Sequence, residues 1–368
     1  MDEGSVVRSA LYIDPATAQV TVKSDPLPTI LQGIPLDIRS ITVSIDRPGF
    51  TLNPTSCEPM SIGATAIAQS SQAPLSSPFQ ATGCRTLPFK PSLTASTAGN
   101  TSKANGASLN VKITSPGVGQ ADIRKVELTI PGVLPSRLTT LQKACPEATF
   151  DANPATCPSA SNIATAIVHT PLLNSPLAGP VYFVSHGGAA FPDTEIILQG
   201  EGVKLILDGH TQIKGGVTYS RFETVPDAPF TSFEFKAPQG PYSIFGANAN
   251  FCQVAIHMPT KLTAQNGAVL EQNTLVQPEG CPNVITILSR SVRKRTLTLK
   301  VAVPGAGRLT ATGKGLKHAT KTTTSRSVIT LTVKTTKPRG RLNTRVRVAF
   351  APTTGRTLTT TTAARFKR

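Results

Sequence analysis

Ser185-His186-Gly187-Gly188, followed by Asp193, is the stretch of this chain nearest to a catalytic pattern. His-Gly-Gly is the phrase of the oxyanion loop of some esterases, and Ser, His and Asp are the residue types of a hydrolytic triad. A Ser and a His adjacent at a strand end point to opposite faces, so these two cannot pair directly. No G-x-S-x-G elbow occurs, and a glycine-rich hairpin turn accounts for the same residues. Glu195, Glu201, Asp208, Glu223 and Asp227 fall in one stretch, as a glycosidase pair would. Such pairs are usually surrounded by aromatic platforms, and this chain has 4 Tyr, 14 Phe and no Trp. Surface solvation explains those carboxylates more simply. The histidines (His169, His186, His210, His257 and His318) show neither H-x-x-x-H nor H-E-x-x-H spacing, and no D-x-D-x-D-G calcium loop is present. The expectation is therefore no catalytic residue, no metal site and no cofactor. Asn100-Thr101-Ser102 matches a glycosylation sequon by pattern only.

The six cysteines form sequence-local pairs without a C-x-x-C, which leaves zinc ribbons and thioredoxin-type sites unsupported. Two stretches repeat one another and help to sort them. One runs from Ser40-Ile41-Thr42-Val43 through Cys57 to Gly83-Cys84, the other from Ser232-Phe233-Glu234-Phe235 through Cys252 to Gly280-Cys281. Two copies of one module should carry the same bridge, which favours Cys57–Cys84 and Cys252–Cys281 and leaves Cys145–Cys157. Closing a loop of about 15 residues stabilises by roughly 3 kcal/mol in the chain-entropy model. Bridges of this kind persist in exported proteins. Met1-Asp2-Glu3-Gly4 is acidic, with no apolar signal region after it and no stretch long enough to span a membrane as a helix. Residues 1–84 match only the C-terminal part of the longer second copy. The expectation is thus that the upstream portion, with any signal peptide, is missing from this sequence.

The net charge of +17 is concentrated at one end. From Val284 to Arg368 there are 20 Lys plus Arg and no Asp or Glu, so the preceding residues hold 17 basic and 20 acidic side chains. A basic terminal module meets anionic partners. It also guards edge strands against aggregation with no partner at all. Single-strand nucleic-acid binders interleave basic residues with aromatic platforms; here only Phe350 and Phe366 are available, and Phe350 falls on the inward face. Specific nucleic acid is not expected. Anionic cell-wall polymers are, with Lys334, Arg339, Arg341, Arg345 and Arg347 as the contact residues.

The elements that must position these groups are short. With 31 Pro and 28 Gly, the chain is punctuated every few residues, which leaves little room for long helices. Residues 1–84 read as strands at 18–23 and 38–46 before the cysteine frame, with Ser70 to Ser77 as a loop inside it. The segment from Thr86 to Asn100 reads as a linker. Strands are expected at Leu109–Thr114, Ile123–Ile130, Ile163–His169, Val181–Ser185, Thr194–Leu198, Val203–Leu207, Val217–Phe222 and Phe230–Phe235. One short helix, capped by Ser136, carries Leu138 and Leu141 on one face. From 284 onward, Leu297, Leu299, Val301 and Val303 alternate with polar residues, as do Ile329, Leu331 and Val333, and Val346, Val348 and Phe350. Period two with polar alternates means a sheet with one wet face. The fold class expected is all-β: tandem β-sandwich modules with a C-terminal immunoglobulin-like sandwich. The divisions are 1–84 (the C-terminal part of a truncated β module), 87–282 (a complete module, as one or two units) and 284–368 (the basic domain).

Longer phrases carry a resemblance. Asp46-Arg47-Pro48-Gly49-Phe50-Thr51-Leu52-Asn53-Pro54-Thr55-Ser56-Cys57, Leu134-Pro135-Ser136-Arg137-Leu138-Thr139-Thr140-Leu141-Gln142-Lys143-Ala144-Cys145 and Thr224-Val225-Pro226-Asp227-Ala228-Pro229 resemble those of large secreted actinobacterial proteins of unknown function. The tail around Val303-Pro304-Gly305-Ala306-Gly307-Arg308-Leu309 is similar to the basic immunoglobulin-like domain that often ends them. The resemblance implies export and modular β architecture, and it supplies no activity and no functional residues. The functional expectation is a non-enzymatic secreted or cell-surface protein of structural or adhesion type. The alternative is an exported hydrolase or carbohydrate-binding protein acting through 87–282.

Overall fold

A computed structural model describes residues 6–44, 51–68, 70–336 and 340–367. Its first part is three hairpins: β1 (Ser9–Ile13) with β2 (Val20–Ser24), β3 (Ile30–Leu31) with β4 (Ile34–Pro35), and β5 (Met60–Ile67) with β6 (Gln72–Phe79). The expected loop at 70–77 is thus largely strand. Pro74 and Pro78 are tolerated in β6 because a two-stranded hairpin has a free edge that needs no N–H. Of the strand expected over 38–46, residues 38–44 are irregular and the rest lies outside the described residues. Leu11, Val22, Ile62 and Leu75 are exposed, and among the described residues before Leu93 only Cys84 and Pro91 are buried and apolar.

The middle of the chain closes on itself. Its strands are β7 (Ser92–Ala98), β8 (Leu109–Thr114), β9 (Ile123–Ile130), β10 (Cys145–Pro146), β11 (Asn162–His169), β12 (Leu177–Ser185), β13 (Asp193–Gly200), β14 (Val203–Lys214), β15 (Val217–Phe222), β16 (Ser232–Ala237), β17 (Ile256–Ala264) and β18 (Val269–Glu279). All but β10 form a ring in the order β7-β8-β16-β11-β12-β13-β14-β15-β9-β17-β18 and back to β7. A closed ring with an odd number of strands cannot alternate throughout, and here β18 and β7 are the parallel pair, with Val276 opposite Ala95 and Glu279 opposite Ala98. The two-sheet architecture expected for 87–282 is therefore corrected to an 11-stranded barrel. Closure leaves no ring strand as a bare edge, and alternate residues such as Leu109, Val111 and Ile113 point into one apolar interior with Ile163, Phe183, Leu198 and Met258.

Three elements differ from the sequence expectation. β7 falls inside the expected linker. Helix α1 (Leu138–Leu141) starts after Arg137 rather than from a Ser136 cap, because the Ser136 hydroxyl is paired with that of Thr218 at 2.7 Å. A second helix, α2 (Glu147–Ala152), follows β10 and was not expected.

The last part forms two sheets around one core. β19 (Thr286–Arg293), β20 (Thr296–Val303) and β23 (Ser327–Lys334) make one; β22 (Ala319–Thr323), β21 (Gly307–Thr312), β24 (Leu342–Pro352) and β25 (Leu358–Phe366) make the other. The predicted alternation holds: Leu297, Leu299, Val301, Ile329, Leu331, Val333, Val346, Val348 and Phe350 are all buried in that core.

All six cysteines are bridged as the repeat indicated: Cys57–Cys84, Cys145–Cys157 and Cys252–Cys281, with Cα–Cα distances of 5.7, 5.4 and 5.4 Å. The first and third bracket equivalent hairpins, β5/β6 and β17/β18. No described helix is long and apolar enough to cross a membrane.

Candidate functional site

The polar groups singled out by residue type converge on the outer face of β12, β13 and β14. A two-residue loop fixes why. Glu201 (φ 50°) and Gly202 (φ 81°) are both left-handed, as a type I′ turn demands, and they pair Gly200 with Val203. That register places Glu195 opposite Asp208 and Thr194 opposite Gly209, hence Asp193 level with His210. Side chains two apart on a strand share a face, so Asp193, Glu195, Asp208 and His210 form one outward cluster. Gly209 lies between the last two, where a Cβ would come within 2.4 Å of the Phe222 ring.

Below the cluster, the same outer face is apolar and covered. Tyr182, Val184 and Ile197 are buried against Phe150 of α2, with Phe150 and Tyr182 edge to face at 6.0 Å. The Cys145–Cys157 bridge ties α2 down across this patch. Glu147, in the first turn of α2, then reaches His186, which follows β12: Oε1 stands 3.0 Å from Nδ1. His186 Nε2 faces Asp193 Oδ2 at 3.6 Å and Glu195 Oε1 at 3.9 Å, and it is buried without a hydrogen-bond partner. Asp193 Oδ2 also lies 3.1 Å from His210 Nδ1, and Asp208 Oδ2 lies 3.7 Å from His210 Nε2.

The electrostatics follow from this crowding. The Glu195 side chain is 8% exposed. Burial, and then the Asp208 carboxylate opposite with Asp193 and Asp151 nearby, push its carboxyl up to about 8. Burial pulls the His210 imidazole down, but its bond to Asp193 and the charges of Asp208 and Glu223 outweigh this, so it is raised overall. Asp193, Asp208 and His210 each offer a ligating atom within 4.8 Å of the others.

The remaining sequence candidates are dispersed. Ser185 donates to Cys145 O at 3.3 Å, away from His186, as strand alternation required. Glu201 accepts from Ser175 N, and Glu223 pairs with Lys125 at 2.8 Å. Asp227 is a clamp: it accepts from Thr55 N (2.8 Å), Thr55 Oγ1 (2.6 Å) and Ser56 N (3.0 Å), so it anchors the Cys57–Cys84 frame to the barrel. Arg345 and Arg347 share the outer face of the four-stranded sheet, while Lys334 ends a strand of the other sheet and Arg341 immediately precedes β24. Arg339 lies outside the described residues. The convergence of Glu195, Asp208 and His210 with His186 and Asp193 was missed. The available signal was Asp-x-Glu and Asp-x-His on either side of Glu201-Gly202, which set the register.

No protein-family description matches this chain, and no curated protein does. Among solved structures it is similar to one titled "Biofilm associated protein - BSP domain", at 9% sequence identity and a TM-score of 0.21. That alignment covers 78% of this chain and 53% of the other, so the chain spans about half of that structure's length.

Proposed function

We propose that this is a non-enzymatic, exported or cell-surface structural protein of adhesion type. Its seven-stranded C-terminal sandwich, immunoglobulin-like in order, makes contact with anionic polymers of the cell envelope. The observation that carries this reading is one sheet face. Arg308, Arg345, Arg347 and Arg365 are exposed on alternate positions of β21, β24 and β25, and no acidic residue occurs beyond Val284 to neutralise them. A broad, singly charged surface without aromatic platforms suits a repeating polyanion such as a teichoic acid or an acidic polysaccharide. Pairing of every cysteine in a disulfide supports export. Native thiol titration is expected to find none reactive, and six would refute that part.

The contact is tested by sedimenting the protein with purified cell wall. Retention at low salt should fall steeply toward 1 M, where the screening length is about 3 Å, and Arg345→Ser/Arg347→Ser should lose most of it. Retention that ignores salt, or none at low salt, sinks the idea.

The competing reading, an exported hydrolase or carbohydrate-binding protein, draws on the meeting of His186, Asp193 and Glu195. That cluster sits on an outer wall, whereas a depression of about 400 Å³ lies elsewhere, lined by Thr94, Lys112, Glu234 and Lys236 among others. Polysaccharide turnover lost in His186→Gln would favour this second reading over the first.

A further inference from the structure

The cluster on β12–β14 has the shape of a ligand shell. The geometry points to a site for one divalent transition-metal ion of the zinc class, held by Asp193, Asp208 and His210, with His186 Nε2 and the Glu195 carboxylate facing it from the β12 side.

The first support is His186. Its Nδ1 is engaged by Glu147 Oε1 at 3.0 Å, which fixes the ring and turns the other nitrogen toward the cluster. That nitrogen is buried, has no hydrogen-bond partner, and faces Asp193 and Glu195. A carboxylate holding the far nitrogen of a ligating histidine is the usual outer-shell arrangement at metal centres. An imidazole nitrogen buried and unbonded is otherwise costly.

Glu195 is the second and independent support. Its side chain is more than nine-tenths buried and aimed into the same space. No described donor hydrogen-bonds its carboxylate, and the group across the strand pair is another acceptor, Asp208. A buried carboxylate facing the half-exposed one of Asp208 calls for a cation or a proton between them.

Spacing and donor type then select the ion. Ligands about 2.1 Å from a tetrahedral centre lie about 3.4 Å apart; the ligating atoms of Asp193, Asp208 and His210 lie within 4.8 Å of one another, and Asp193 Oδ2 stands 3.1 Å from His210 Nδ1 and 3.6 Å from His186 Nε2. Two imidazoles among carboxylates suit Zn²⁺ or a neighbouring first-row ion, whereas Ca²⁺ and Mg²⁺ take oxygen shells. Thiolate competition is absent, because every cysteine is bridged. The site is framed by elements that cannot drift: the type I′ turn sets Asp193, Glu195, Asp208 and His210, and the Cys145–Cys157 bridge sets Glu147.

The test is calorimetric titration of the chelator-treated full chain with ZnCl₂ at neutral pH. One saturable equivalent is expected, with no comparable binding of Ca²⁺ or Mg²⁺. His210→Gln and His186→Gln should each weaken it at least tenfold, while His257→Gln/His318→Gln should leave it unchanged. Should a ligand variant disturb the fold, Glu147→Gln serves instead: Glu147 is half exposed, and loss of an outer-shell carboxylate typically costs about 10–100-fold in affinity. Absence of a saturable equivalent, or binding that survives loss of both histidines, overturns the assignment.

Discussion

Replacing Asp122 by Asn should remove a pH dependence from the barrel's stability. Asp122 immediately precedes β9 and is 5% exposed. Burial first, and then the neighbouring Asp227 carboxylate, push its carboxyl from 3.8 up to about 7. Asp227 already accepts from three donors of Thr55 and Ser56, and the proton that Asp122 keeps is donated to Asp227. The folded state therefore binds this proton more tightly than the unfolded chain. Stability from this source is complete below about pH 4 and is lost as pH rises, until Asp122 ionises in the fold near 7. At roughly 1.4 kcal/mol per pH unit, the loss is about 4 kcal/mol, an upper figure because the two carboxylates titrate together. An Asn amide keeps a donor toward Asp227 and has no charge to bury. Asp122→Asn should thus match the parent near pH 4 and exceed it by a few kcal/mol at pH 8. For a barrel of this size that is about 2–4 °C per kcal/mol in Tm. Calorimetry of both proteins across pH 4–8 isolates the effect, since groups outside the Asp122–Asp227 pair cancel in the difference. A difference that stays flat with pH, or a variant less stable at pH 8 than its parent, refutes the reasoning.

Two further outcomes follow from packing. Gly99→Ala would place a Cβ 2.4 Å from Cys281 Sγ, 2.7 Å from Cys252 Sγ and 2.9 Å from Glu279 O; overpacking of that kind typically costs about 1–3 kcal/mol, to be read as a lower barrel Tm, and an unchanged Tm would contradict the closeness described. Phe350→Ala empties a fully buried position in the C-terminal core and should cost about 3–5 kcal/mol. Calorimetry should show only that sandwich's transition moving, with the barrel's unaffected.

Much of the local structure was legible. β9 and β15 coincide with the runs expected at Ile123–Ile130 and Val217–Phe222, because β-branched residues there alternate cleanly between turn signals. β7 was not, since Ser92-Leu93-Thr94-Ala95-Ser96-Thr97-Ala98 alternates small with small and gives little hydropathy contrast, although Leu93, Ala95 and Thr97 do point inward. Barrel closure was hidden for a different reason. It depends on Val276 meeting Ala95, a pairing between segments far apart in sequence that no local period announces. The same holds for the cluster: His186 and Asp193 drew notice by type, while Glu195, Asp208 and His210 needed the hairpin register to bring them in.

The parallel pairing of β7 with β18 has a mechanical consequence. The chain enters the barrel at Ser92 and leaves it at Glu279, and because the two strands run the same way these points lie at opposite ends of the pair. Tension along the polypeptide slides the two strands past each other, so their hydrogen bonds share the load together instead of parting one by one. Gly99 N donates to Glu279 O at 2.7 Å, beside the Cys252–Cys281 bridge, and adds a further bond to the sheared set. A barrel strung this way resists extension far better than a hairpin peeled from its open end.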